Sequence, residues 1–272
     1  MEAATPETST DDGFVGARVG AAVVALIWAF MFFGIIDLSV VLDQDVEFYD
    51  FYLLATGWGL LFTFLVPLPL LFWAVRPQGW NGPQVAVIGA AVLFAGLVGL
   101  APGQVLVAGL VAGSAAFPYM WRPRPRWSIR RALARPAYWP LDALVTGSVV
   151  AAFMYSRDML DAARAGAKDD NTFGLMHLPM QAGFGLAIAG AAVVAVLALA
   201  NGVTGWWLAF VPASLSAVWF GLVAWAYPDH LGSTGDVGAM LMIAWGVALF
   251  VVAAGTGLLT RQERGPSTST PG

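Results

Sequence analysis

The feature that most constrains this chain is a series of eight apolar stretches, each of bilayer-spanning or near-spanning length, with hardly a charge well inside any of them. A helix of about twenty apolar residues crosses the hydrocarbon core of a bilayer. Backbone groups surrounded by lipid must be hydrogen-bonded internally, and continuous apolar runs favour helices over the alternating strands of a barrel. The sequence therefore predicts an all-α, polytopic transmembrane bundle of about eight spans.

The composition agrees with this fold class. Hydrophobic residues make up 59% of the chain and charged residues 11%, whereas about a quarter of the residues in soluble domains are charged. We expect one transmembrane helical domain over residues 15–260, with disordered polar tails at 1–14 and 261–272. The predicted spans are 19–41, 51–75, 85–100, 105–120, 141–155, 178–200, 205–227 and 237–259.

The distribution of basic residues predicts the topology. With eight spans and a cytoplasmic N-terminus, ten arginines fall on the cytoplasmic side, while only Arg157, Arg164 and Lys168 fall outside. This asymmetry follows the positive-inside rule and predicts that both termini are cytoplasmic. Twelve arginines against a single lysine, together with abundant Ala, Gly and Val, suggest a bacterial origin, so the expected location is a bacterial cytoplasmic membrane.

A basic loop between the fourth and fifth spans is predicted to anchor the protein to lipid headgroups. Its arginines alternate with aromatic and apolar residues, a composition typical of the membrane interface. A short helix lying on anionic headgroups is the alternative, and nucleic-acid binding is not expected, because the loop lies against the membrane without a recognisable module. The anchor residues are Arg122, Arg124, Arg126, Arg130, Arg131 and Arg135.

Prolines and hydroxyl residues in two spans are candidates for the lining of a cavity. Interrupted helices in corresponding places can bracket a transporter's binding site, although membrane helices also tolerate proline without any such role. Small residues at four-residue spacing in the third and fourth spans are expected to permit close packing inside the bundle. They are Ala91, Ala95, Gly99, Gly109 and Gly113. The candidate cavity residues are Pro67, Pro69, Pro212, Ser214 and Ser216.

Ionisable and polar residues near the predicted external face form a second candidate site. Two histidines with nearby carboxylates could bind a metal or sense protons if their loops converge, but their spacing matches no established site. We therefore predict no metal and no cofactor. The candidate residues are Asp37, His177, Gln181, Asp229 and His230.

These observations leave three functions open. A permease-like transporter of a small or apolar solute, working without a carboxylate at the bilayer midplane, is the first. The second is a non-catalytic scaffold or accessory subunit that packs against a membrane partner, and the third is an intramembrane enzyme. Because no arrangement of nucleophile and base is evident, we expect no enzymatic activity. A transporter requires a cavity near the prolines, whereas a scaffold requires a filled bundle and a lipid-facing strip of small residues.

Overall fold

The protein is a bundle of α-helices in which six helical stretches are long and apolar enough to cross a membrane. The computed structural model describes residues 10–44, 46–120, 127–134, 138–169, 171–172 and 174–262. The prediction of an all-α membrane bundle is confirmed. The helices of the first half are α1 Thr10–Met31, α2 Gly34–Asp43, α3 Tyr52–Leu60, α4 Pro67–Val75, α5 Asn81–Val98, α6 Pro102–Ser114 and α7 Ala116–Met120. Those of the second half are α8 Ile129–Ala134, α9 Trp139–Arg164, α10 His177–Ala200, α11 Val211–Ala226 and α12 Gly235–Gln262.

Shorter elements connect these helices. A 3-10 turn, Val46–Phe51, leads into α3, and a second 3-10 turn, Trp206–Phe210, leads into α11. A π-helical segment, Leu61–Leu65, joins α3 to α4. Two residues at Asn171–Thr172 pair antiparallel with Leu175–Met176 just before α10. The interior is apolar and rich in large aromatic rings, including Trp58, Trp73, Trp80, Phe184 and Phe220.

Two predicted spans differ in length from the candidate membrane helices. The fourth corresponds to the short apolar stretch Pro102–Pro118, which forms an antiparallel hairpin with α5. The fifth, predicted over 141–155, continues as α9 to Arg164. The predicted span stopped where charged residues begin, because it was defined by hydropathy. Charged side chains are compatible with a continuing helix, since they form ion pairs along it, such as Arg164 to Asp161 at 2.9 Å. The first helix begins at Thr10, so residues 10–14 are helical, although the sequence assigned them to a tail.

Connections that are distant in sequence meet at the two ends of the bundle. At one end, called the Arg18 end, the Arg18 Nη2 donates to the carbonyl of Val75 at 2.7 Å. At the other, called the Asp50 end, the Lys168 ammonium contacts the Asp50 carboxylate at 2.7 Å. The tip of the α5–α6 hairpin also lies at the Asp50 end, where the Gln104 side chain donates to a backbone carbonyl just before α10.

The first predicted span is interrupted rather than continuous. The helix stops at Met31 and restarts at Gly34, because Phe33 adopts a left-handed conformation with φ of 61°. That conformation costs an L-residue about 1–2 kcal/mol, so other contacts must support it. The Trp58 indole donates a 2.8 Å hydrogen bond to the Phe32 carbonyl at the break. The break also lies against the π-helical segment, since a Cβ on Gly34 would be 2.8 Å from the backbone carbon of Phe62.

Candidate functional site

The predicted cavity residues are packed inside the bundle. Pro67 begins α4 and Pro212 is the second residue of α11, positions where the missing amide hydrogen is not needed. Both prolines are buried, as is Pro69. Ser214 and Ser216 are 3% and 0% exposed. The sequence therefore identified interior positions, and the prolines mark helix starts after a π-helical segment and a 3-10 turn.

Two buried amides on α5 brace the backbone beside those prolines. Asn81 Nδ2 donates to the Pro69 carbonyl at 2.8 Å, and Gln84 Nε2 donates to the Ala209 carbonyl, also at 2.8 Å. Both side chains are fully buried. Sequence reasoning missed them, although their signal was present: two amides at the start of an otherwise apolar span, in the run Asn81-Gly82-Pro83-Gln84. They tie α5 to α4 and to the turn before α11.

Two grooves stand out on the described part of the molecule, and both lie on its outer surface. One, of about 530 Å³, runs between α1 and α4. The other, of about 250 Å³, runs between α5, α9 and α10. None of the five predicted cavity residues lines either groove. Neither of these two grooves is therefore the cavity that the prolines and serines were predicted to line.

The two external histidines pack against different aromatic rings of α3. His177 is buried against the Trp58 ring at 4.6 Å, whereas His230 packs against Tyr52. Tyr52 and Trp58 are six residues apart on α3, which is about 9 Å along a helix axis. Among the described residues, no group of three or more His, Cys, Asp and Glu side chains is placed to hold a metal ion.

The Gln181 amide belongs to a hydrogen-bonded chain between helices. Its Nε2 donates to the Tyr155 hydroxyl at 2.6 Å, and that hydroxyl donates to the Gly232 carbonyl at 2.8 Å. Gln181 is 1% exposed, and its Oε1 lacks a hydrogen-bond partner. That oxygen lies against Gly57, where a Cβ would be only 1.7 Å away. The chain links α10, α9 and the connection between α11 and α12.

Three tyrosines enclose His230. Its ring centroid lies 4.6 Å from Tyr49, 5.0 Å from Tyr227 and 6.2 Å from Tyr52. The His230 Nε2 is buried without a hydrogen-bond partner. Neighbouring Asp229 is exposed. This packing joins the connection before α3 to the one after α11.

Asp37 belongs to the interrupted first span. It is half-buried in the first turn of α2, directly after the break at Phe33. A carboxylate there complements the positive end of the helix dipole. Its position is therefore explained by the interrupted first span.

The basic loop is only partly described. Arg130 and Arg131 are exposed on the short helix α8. Ser128 holds this helix at the Arg18 end, because its backbone N–H donates to the Asn201 side chain at 2.9 Å. The remaining anchor residues, Arg122, Arg124, Arg126 and Arg135, lie outside the described residues.

The outer face of α6 carries an exposed strip of small residues. A Cβ added at Gly109 or Gly113 would meet nothing within 4 Å, and both positions are exposed. The expectation of packing inside the bundle was wrong for these two glycines, whereas Ala91 and Ala95 of the third predicted span are buried. Gly89 on α5 makes the close contact instead, since a Cβ there would be 3.0 Å from the Ala112 backbone nitrogen. The strip is flanked by Leu106, which is 67% exposed.

Comparison with known proteins returns no match: no family model, no curated protein and no solved structure resembles the chain significantly. Its function is therefore inferred from its own residues and their geometry.

Proposed function

We propose that this integral membrane protein is a non-catalytic scaffold or accessory subunit that packs against another membrane protein through the outer face of α6. The observation that carries the proposal is the exposed strip at Gly109 and Gly113. Lipid offers helices no hydrophobic driving force for association, so interfaces there rely on small residues that let backbones approach closely. A helix from a partner could approach α6 closely at these two positions.

The packed interior supports the same proposal. The places where a transport cavity was expected hold buried prolines and serines, and the adjacent backbone is braced by Asn81 and Gln84. Buried polar side chains among the described residues are hydroxyls, amides and one imidazole, His177. The hydroxyls and amides do not titrate near neutral pH, and those of Asn81 and Gln84 brace backbone carbonyls, which supports a structural role for this part of the interior.

A permease-like transporter is the second candidate. It is favoured by two helix irregularities that face each other. The break at Phe33 faces the π-helical segment Leu61–Leu65, and π-bulges often occur at functional sites. A hinge here could open a path that this conformation keeps closed. The test is solute or proton flux in vesicles containing the wild type and Asp37→Asn. Flux in the wild type would establish transport, and its loss in the variant would show that a carboxylate is required.

We also propose that the Arg18 end faces the cytoplasm of a bacterial cell. Ten of the thirteen Lys and Arg residues belong to that end in the eight-span topology. The chain has no cysteine, so Ala167→Cys and Ser128→Cys provide clean reporters for an impermeant thiol reagent. Only Ala167→Cys should label in intact cells. Labelling of Ser128→Cys from outside would reverse the orientation.

Cross-linking in the native membrane tests the scaffold proposal. Leu110→Cys, 47% exposed beside the glycine strip, can carry a thiol-linked photoreactive group that needs no cysteine on the partner. We expect a discrete adduct with a second membrane polypeptide. Adding Gly109→Leu and Gly113→Leu should abolish the adduct, because bulky side chains prevent close approach.

The matched control is Gly147→Leu on α9. This glycine is also helical and exposed, and a Cβ there meets nothing within 4 Å. The control should leave the adduct unchanged. Adducts to lipid alone, or an adduct that persists in the Gly109→Leu, Gly113→Leu variant, would contradict the proposal.

A further inference from the structure

His230 and three tyrosines form a cluster of four rings at the Asp50 end of the bundle. The imidazole centroid lies 4.6 Å from Tyr49 and 5.0 Å from Tyr227, within the distance of about 6 Å at which aromatic rings attract a cation. Tyr52 lies parallel to the imidazole at 6.2 Å. The tyrosine centroids are 5.0 to 6.3 Å from one another. These four residues are called the His230 cluster.

The His230 cluster holds together segments that are distant in sequence. Tyr49 belongs to the 3-10 turn before α3, whereas Tyr227 and His230 belong to the connection between α11 and α12. The same connection is also attached to α9, because the Tyr155 hydroxyl donates to the Gly232 carbonyl at 2.8 Å. The strength of the cluster therefore determines how firmly the α11–α12 connection is held against the 3-10 turn.

The charges around the cluster favour a positive imidazole. The Asp50 carboxylate interacts electrostatically with His230, and it also contacts the Lys168 ammonium at 2.7 Å. Carboxylates are ionised near neutral pH and phenol hydroxyls are neutral. The charged side chains of the described residues in the 3-10 turn, in the α11–α12 connection and in the contact with Asp50 are Glu47, Asp50, Asp229 and Lys168. Three negative charges against one positive charge attract a further cation.

The imidazole of His230 can gain this charge where it lies. Its Nε2 is buried without a hydrogen-bond partner, so the neutral ring gains no hydrogen bond at this nitrogen. The ring as a whole is half-buried, so solvent can supply a proton. Histidine is the side chain that ordinarily changes charge between about pH 5 and pH 8. An imidazolium among aromatic rings gains a cation–π attraction that the neutral ring lacks.

We propose that the His230 cluster is a proton-sensitive clasp, in which protonation of His230 tightens the contact between the 3-10 turn Val46–Phe51 and the α11–α12 connection. The proton comes from solvent at the Asp50 end. The resulting charge is attracted by the tyrosine rings and by the Asp50 carboxylate, and it is lost again as the pH rises. This inference is independent of the proposed scaffold role and of the outer face of α6.

Hydrogen exchange of the full chain in lipid nanodiscs tests the proposal. Opening of the clasp breaks backbone hydrogen bonds of the connection, such as the one from the Ser233 N–H to the His230 carbonyl at 2.9 Å. Exchange is followed by mass spectrometry at about pH 5.5 and about pH 8, and is corrected for the chemical exchange rate at each pH. Protection of residues 46–52 and 227–235 should be about two- to five-fold greater at the acidic pH, the factor that corresponds to one exposed cation–π contact.

The turn at residues 201–208 is the internal control. It lies at the Arg18 end, where the Asn201 side chain accepts from Ser128, and it is closed by backbone hydrogen bonds such as Leu208 to Gly205 at 2.9 Å. None of its residues is ionisable. Its corrected protection should therefore be the same at both pH values.

Variants identify the titrating group and its aromatic partners. His230→Phe keeps an aromatic ring that cannot be protonated, so the dependence of protection on pH should disappear. Tyr49→Leu removes one ring and should reduce the gain at acidic pH. The matched Tyr138→Leu should leave the gain unchanged, because Tyr138 is also exposed, at 40% against 51% for Tyr49, and lies at the Arg18 end. Unchanged protection of residues 201–208 verifies that each variant is folded.

Three outcomes would overturn the proposal. The first is protection of the α11–α12 connection in the wild type that is equal or lower at the acidic pH. The second is a gain that survives His230→Phe, which would assign the titration to another group such as His177. The third applies even if His230→Phe does not fold: a full gain in Tyr49→Leu would show that the tyrosine rings do not hold the charge.

Discussion

Replacing Gly34 by alanine should destabilise the protein, because the interrupted first span crosses α3 and the π-helical segment so closely that their backbones are in contact. A Cβ at Gly34 would be 2.8 Å from the Phe62 carbonyl carbon and 2.9 Å from its oxygen. Backbone atoms cannot rotate away as a side chain can, so the two segments must separate. Overpacking of this kind costs about 1–3 kcal/mol. Gly34 is the first residue of α2, where alanine gains little from helix propensity.

The measurement is equilibrium unfolding in mixed micelles with increasing SDS, monitored by tryptophan fluorescence. Gly147→Ala is the matched control, because a Cβ there meets nothing within 4 Å and the exchange should gain up to about 1 kcal/mol in a helix interior. Gly34→Ala should lower the unfolding free energy and Gly147→Ala should not. Equal stability of Gly34→Ala and wild type would refute the close crossing.

A double variant sharpens the test. A Cβ at Gly59 would be 2.8 Å from the Gly34 carbonyl oxygen, so both glycines serve the same contact. Once Gly34→Ala has separated the segments, Gly59→Ala should cost less than it does alone. Strict additivity of the two free-energy changes would show that the sites are independent.

Two further substitutions test the buried amides by the same unfolding measurement. Gly57→Ala should cost about 1–3 kcal/mol, because the new methyl group displaces the Gln181 side chain and breaks its hydrogen bond to Tyr155. If Gly57→Ala lowered the unfolding free energy equally in a Gln181→Ala background, this cause would be contradicted. Gln84→Leu should cost about 1 kcal/mol or less, since it removes the hydrogen bond to the Ala209 carbonyl together with an unpartnered oxygen. A decrease in unfolding free energy well above that range would mean that the Gln84 side chain supports more than one backbone carbonyl.

The fold class could be predicted from the sequence because hydropathy alone separates this chain from soluble proteins. The break at Phe33 could not, since the run Phe32-Phe33-Gly34 lacks proline, and a glycine alone does not stop a helix in this chain: Gly20 lies inside the uninterrupted α1. Its cause is tertiary: the Trp58 indole bonds to the exposed carbonyl, and Gly34 permits the crossing. Residues distant in sequence determine both contacts.

The candidate sites were predicted less well for a related reason. Proline predicts a local interruption of hydrogen bonding, but whether the neighbouring space is open or filled depends on what packs there. Near Pro69 that space is occupied by Asn81. Likewise, four-residue spacing of Gly109 and Gly113 predicts a smooth helix face without indicating which way the face points. The structure directs it outward.

Water accessibility at Ser216 tests most directly whether the interior is filled, as the scaffold proposal requires. The chain lacks cysteine, and Ser216 is completely buried on α11. Ser216→Cys should therefore resist a small water-soluble thiol reagent applied to vesicles. Ala165→Cys should react, because Ala165 directly follows α9 and is exposed. Reaction at Ser216→Cys at a rate near that of Ala165→Cys would reveal a hydrated path through the bundle. That result would contradict the scaffold account and favour the permease.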